Sequence, residues 1–194
     1  MVDKYPPRFY VRYKCVLYPR IILPRLEKES ETSEIIVITG MRQIGKTTLL
    51  DHLFSLIKSS NNVKLDLENP LNRKIFEEEN YDTIWNNLAV YGISKKSKVY
   101  IFLNEIQHLS SIGSSVKFLY DHFNVKFVLT GSSSYYLKNL FSESMAGRKL
   151  IFEVFPLTFF EFLAFKDISQ KKLPFDKKSI LKNKILHSKL IPFL

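Results

Sequence analysis

At 194 residues, with 45% hydrophobic content and sixteen phenylalanines, the chain can fill the core of one ordinary domain with extensions, which excludes a disordered composition. Its single cysteine, Cys15, excludes an internal disulfide and points to a reducing compartment, the cytoplasm. The net charge of +10 is uneven: residues 1–28 carry +5, residues 29–165 carry −1 and residues 166–194 carry +6, so a polyanion-binding role belongs to the ends and not to the middle.

The charge division also sets the expected organisation: a basic N-terminal segment, 1–28, a near-neutral domain, 29–165, and a lysine-rich tail, 166–194. The basic ends can bind nucleic acid or simply be solvated. Residues 1–10 mix charges with two prolines and lack the apolar core of a signal peptide. The richest apolar stretch, 151–165, is broken by Glu153, Pro156 and Glu161 and falls short of the roughly 20 residues a membrane span requires, so no membrane segment is expected.

Prolines at 6, 7, 19 and 24 make the N-terminal segment irregular, with at most a short helix around 25–29. From Ile35 onward, short apolar runs alternate with longer helix-like stretches, the pattern of parallel strands joined by helical crossovers. Strands are expected at 35–39 (IIVIT), 63–67 (VKLDL), 99–103 (VYIFL), 125–129 (VKFVL) and 150–154 (LIFEV). Their near-continuous apolarity suits a sheet covered on both faces.

Between them, 46–58 places Leu49, Leu50, Leu53, Phe54 and Ile57 on one helical face. The stretch 70–79 begins with proline where a first helical turn accepts it, and 81–91 reads as another helix. Further helices are expected at 114–123 and 134–141, each after serines able to cap free amides, and the tail places Ile180, Leu181, Ile185 and Leu186 at helical spacing. The phenylalanine-rich run 152–165 reads as core.

The chemistry concentrates at GMRQIGKTT, residues 40–48, directly after the first strand. Gly40, Gly45, Lys46 and Thr47 satisfy G-x-x-x-x-G-K-[ST] in strand-loop-helix context, a P-loop. Glycines let the backbone approach a phosphate, and the loop amides with the helix N-terminus direct partial positive charge inward. A nucleoside triphosphate is therefore the expected ligand, with Arg42, Gln43, Ile44 and Thr48 completing the loop. Lys46 would reach the β- and γ-phosphates and the Thr47 hydroxyl would ligate Mg²⁺.

The strand VYIFL ends in Asn104-Glu105. A carboxylate in the Glu105 position can orient and deprotonate a water for attack on the γ-phosphate. Asn104 stands where an Asp would help hold Mg²⁺; the amide keeps an oxygen but removes a full negative charge, so weaker metal retention is expected. Two readings follow: a slow Mg²⁺-dependent ATPase, or a non-catalytic ATP-binding or interaction module. VKFVLTGSSS ends a third strand in hydroxyls, of which Thr130 is the candidate γ-phosphate sensor. Arg148, in MAGRKL, can supply positive charge to a transition state in its own subunit or in a neighbour's. The four histidines show no ligand spacing, and no zinc site is expected.

ITGMRQIGKTTLL, KLDLENP, IFLNEIQ, LTGSSS, MAGRKL and FPLTFFEFL, in that order, resemble the archaeal and bacterial AAA-type ATPases in which a P-loop domain precedes a winged-helix and restriction-endonuclease-like region. The resemblance implies a three-layer α/β sandwich around a five-stranded parallel sheet of order 5-1-4-3-2. It also implies ATP as ligand, Glu105 as water-activating residue, Thr130 as sensor and Arg148 as arginine finger in a homo-oligomer. The chain departs from the family at Asn104, where Asp is usual. It also ends soon after FPLTFFEFL, so the lid and C-terminal portion are expected to be missing and the chain to be truncated.

Overall fold

The structure is a computed structural model that describes residues 9–10, 16–18, 20–78, 80–132, 145 and 147–166. The expected helices at 134–141 and in the tail, half of the basic segment 1–28 and the tail from 167 onward lie outside the described residues. The chain divides into two compact units, one of residues 9–17 and 21–156, the other of residues 1–8, 18–20 and 157–194.

The first unit opens with a minimal antiparallel ladder, β1 (Phe9–Tyr10) with β2 (Val16–Leu17), followed by α1 (Leu23–Ser30). Its centre is a sheet of β3 (Ile35–Gly40), β4 (Asn62–Asp66), β5 (Val99–Asn104), β6 (Val125–Gly131) and β7 (Lys149–Val154). All neighbours are parallel and the order is β4-β5-β6-β3-β7. Counted from Ile35 onward and read from the other edge, that is the expected 5-1-4-3-2.

Alternation of side chains along each strand builds two cores. Ile35 and Val37 of β3, with Ile101, Leu103, Phe127 and Leu129, pack on one face against α4 (Tyr81–Ala89) and α5 (Ile112–His122) through Ile84, Trp85, Leu88, Val116 and Leu119. Ile36 and Ile38, with Phe102 and Val128, pack on the other against Leu23 and Leu26 of α1 and Leu49, Leu50 and Leu53 of α2 (Lys46–Leu56). Each fully buried aliphatic side chain contributes roughly 1.5–3 kcal/mol. The two cores fix a three-layer sandwich and bring the C-terminal ends of the parallel strands to one edge of the sheet.

Three expected elements change. The helix placed at 70–79 is only α3 (Pro70–Lys74), because the chain tightens into a turn, Phe76 N–H donating to Arg73 C=O at 2.9 Å, that buries Phe76. The helix placed at 114–123 begins at Ile112, and its N-cap Ser111 makes no side-chain cap hydrogen bond, so serine capping does not set that end. The phenylalanine-rich run is core only in part: Phe152, Val154 and Leu163 are buried, while Phe155, Phe159, Phe160 and Phe165 are exposed.

In the second unit, α6 (Phe159–Phe165) starts at a reciprocal cap in which Thr158 and Glu161 each bond the other's backbone N–H. Glu161 also accepts from the Arg20 guanidinium at 3.1 Å, and the Tyr18 ring lies against Phe165. Among the described residues no helix is long and apolar enough to cross a membrane.

Candidate functional site

The loop of residues 40–48 leaves β3 at its C-terminal end and enters α2 through a series of unusual backbone angles. Gly40 has φ +143°, and a Cβ there would lie 2.4 Å from the Val154 carbonyl oxygen of β7, so only glycine passes this point. Gln43 and Gly45 both adopt left-handed φ, +60° and +93°. The N-cap of α2 is Gly45 itself, with no side-chain cap. The first amides of α2 therefore keep their dipole available to an anion.

Lys46 is only 4% exposed, and its ammonium donates to the carbonyls of Gly40 (3.1 Å) and Met41 (2.7 Å). Burial pushes its pKa below the ordinary lysine value; the Glu105 charge works against that shift and the Arg42 charge adds to it. The loop thus wraps a desolvated cation, an environment that favours a negative ligand. Arg42, Gln43, Thr47 and Thr48 are exposed at its surface, and Ile44 packs on the α2 side core.

The end of β5 meets this loop through hydroxyls. Asn104, buried, accepts at Oδ1 from Thr47 Oγ1 (3.2 Å) and from Thr130 Oγ1 (2.6 Å). Its Nδ2 donates to Asp66 Oδ2 at the end of β4, 3.1 Å away. Thr130 in turn accepts from the Glu105 backbone N–H at 3.2 Å. Glu105 has φ +54°, a left-handed conformation uncommon for a residue with a Cβ, at the step into a 3₁₀ turn, Ile106–His108. Its carboxylate accepts from Gln107 Nε2 and from Ser132 Oγ (3.0 Å), and Ser132 N–H donates to Gln107 Oε1 at 3.2 Å.

Lys46, Thr47, Asn104, Glu105 and Thr130 are therefore joined at one end of the sheet. Thr130 is fully buried, with its hydroxyl engaged by Asn104 and Glu105. Arg148 stands apart: its carbonyl accepts from Ile35 N–H at the start of β3, so it lies at the opposite sheet end. Five strand steps at about 3.3 Å each put its backbone roughly 17 Å from the loop of its own subunit, which removes the own-subunit role. Its guanidinium pairs with Asp121. Burial alone would raise the Asp121 carboxyl, but hydrogen bonds and charge from Arg148 and Lys117 hold it below the ordinary value.

Asp66, Gln107 and Ser132 join the site beyond the residues that the motifs single out. Asp66 is visible in KLDLENP but only the strand register, Asp66 beside Asn104, gives it a partner. Gln107 follows Glu105 by two and bonds its carboxylate; Ser132 follows Thr130 by two in the same run of hydroxyls, where helix capping is an equal reading of the serines, and it too bonds that carboxylate.

The residues present fit Mg²⁺ with a nucleotide. Thr47, Asn104, Asp66 and Glu105 offer only hard oxygen donors near a buried lysine, the ligand type Mg²⁺ takes, and among the described residues no cluster of three or more His, Cys, Asp and Glu suggests another metal.

The fold and the loop define a P-loop nucleotide-binding module. A family model described as an AAA domain matches residues 32–163, and the chain belongs to that family. An uncharacterized protein of Methanocaldococcus jannaschii is 31% identical over 173 residues, covering 82% of this chain and 38% of that protein. An uncharacterized protein of Haemophilus influenzae is 28% identical over 169 residues, covering 84% of this chain and 42% of that one. The chain thus spans about two-fifths of the length of these relatives. Among solved structures, a DNA polymerase III gamma-subunit-related protein of Thermotoga maritima aligns with a TM-score of 0.48 at 17% identity, over 73% of this chain and 48% of that one.

Proposed function

We propose that this domain binds ATP with Mg²⁺ in the loop of residues 40–48 and hydrolyses it slowly to ADP and phosphate. The observation that carries the reading is the continuous bridge Thr47–Asn104–Thr130–Glu105, which ties the loop that would hold the phosphates to the carboxylate that would act on them. When bound, Mg²⁺ would neutralise charge on the β- and γ-phosphates.

The residues divide the remaining work. Lys46 exchanges its two backbone carbonyl acceptors for phosphate oxygens, and the loop amides with the uncapped start of α2 hold the rest of the triphosphate. Glu105, oriented by Gln107 and Ser132, accepts a proton from water as the water oxygen attacks the γ-phosphorus. The bond from that phosphorus to the bridging oxygen breaks, and ADP departs with the electron pair. Thr130 holds the backbone of Glu105 in register with Asn104, so a change at the phosphates is felt at the base. Arg148 is proposed to serve the site of a neighbouring subunit in a homo-oligomer, since its own site is at the far sheet end.

Single-turnover hydrolysis with excess protein tests this. Phosphate release that falls by about 10²- to 10⁴-fold in Glu105→Gln, with nucleotide affinity retained, is the expected result. Equal slow release from both proteins would favour the non-catalytic binding module.

A further inference from the structure

Asn104 removes a negative charge where the metal would sit, yet its amide is held in one orientation by a charge from the next strand. Parallel pairing sets Asp66 beside Asn104, and the Asp66 carboxylate accepts from Asn104 Nδ2 at 3.1 Å. An ionised carboxylate has acceptors only, so it selects the amide rotamer that turns Nδ2 toward β4 and Oδ1 toward Thr47 and Thr130. The reverse rotamer would set Oδ1 against the Asp66 carboxylate, two acceptors with no proton between them. Asp66 is itself fixed, its other oxygen accepting from Glu68 N–H at 3.0 Å, and it is exposed, so its charge is carried at little desolvation cost.

We propose that Asp66 is a positioning residue for the metal: Asn104 supplies the oxygen and Asp66 supplies the charge, the two together replacing one aspartate. The proposal rests on the nucleotide-and-metal reading above. With Asp66 behind it, Asn104 would weaken metal retention less than the missing charge alone predicts, because a carboxylate that orients and polarises a ligand side chain raises the ligand's basicity.

The experiment is calorimetric titration of a non-hydrolysable ATP analogue into the full chain, with Mg²⁺ and with the metal chelated, for wild type, Asp66→Asn and the swap Asp66→Asn/Asn104→Asp. The ratio of the two affinities is the metal's gain; the metal-free affinity reports an intact fold and loop. Asp66→Asn keeps a hydrogen-bonding side chain and removes the charge, so its metal-free affinity stays while the gain falls about tenfold. The swap restores the amide–carboxylate pair with its ends exchanged and recovers the gain to within about threefold of wild type. An undiminished gain in Asp66→Asn overturns the proposal, as does a swap that binds the metal-free analogue normally but recovers nothing. A wild type whose affinity ignores Mg²⁺ overturns instead the metal reading on which the proposal rests.

Discussion

Two lysines are buried at opposite ends of the same parallel sheet, and their surroundings differ in kind. Lys126, in β6 and 1% exposed, donates to the carbonyls of Glu29 (2.8 Å) and Glu34 (2.5 Å) and to Thr32 Oγ1 (3.4 Å). These acceptors come from the end of α1 and the turn into β3, so three ammonium protons meet three oxygens and the helix is fastened to the sheet. Lys46, at the other end, has two described acceptors, both in the loop that surrounds it, next to hydroxyls and carboxylates that belong to other strands. A cation saturated by fixed backbone holds a fold together. A cation whose partners are the surrounding loop's own carbonyls can exchange them for a ligand's oxygens.

The larger structural effect is expected at the end away from the loop. Lys126→Met keeps most of the volume but leaves the Glu34 carbonyl and Thr32 hydroxyl short of a donor, and a stability loss of about 2 kcal/mol is expected in denaturant unfolding. The loss should depend on pH. Burial, aided by the Lys98 charge and opposed by Glu34 and Glu29, pushes the Lys126 pKa down from 10.5 to about 8. Between those values the unfolded chain holds a proton that the folded chain has shed, so wild-type stability rises with pH by up to about 1.4 kcal/mol per unit from this group. Lys126→Met lacks that rise; parallel pH profiles for the two proteins would contradict the assignment.

The smaller effect sharpens the comparison at the same sheet end. Arg148 and its partner Asp121 are partly solvent-exposed, so Arg148→Ala should cost less than about 1 kcal/mol of stability and leave nucleotide affinity unchanged. Its consequence should appear in turnover, as loss of any dependence of specific activity on protein concentration. A variant that loses nucleotide binding would place the arginine in its own site after all.

The sequence made the sheet legible because five apolar runs are long enough to be buried on both faces and because one of them enters a glycine-rich loop. The loop, Thr47, Asn104 and Glu105 were readable from spacing along single strand ends. Asp66 was not, since nothing in KLDLENP tells which strand lies beside β4 or in what register. Lys126 reads in VKFVL like any solvated lysine, and only oxygens at the end of α1 and in the turn into β3, 92 to 97 residues away in sequence, give it partners. Thr158 and Glu161 stand at capping-box spacing before helix α6, but the run 152–165 reads as core because of its phenylalanines, and four of these are exposed. Arg148 carried a recognisable motif, yet which end of the sheet it occupies follows only from the parallel pairing of β7 with β3.

The central claim is that a buried lysine in a glycine loop waits for phosphate oxygens. Calorimetric titration of MgATP into wild type and Lys46→Ala tests it most directly. Removing the charge-assisted contacts should weaken binding by about 100-fold, corresponding to roughly 2.7 kcal/mol, with the fold retained. Equal affinities in the two proteins, or no binding heat in the wild type, would contradict it.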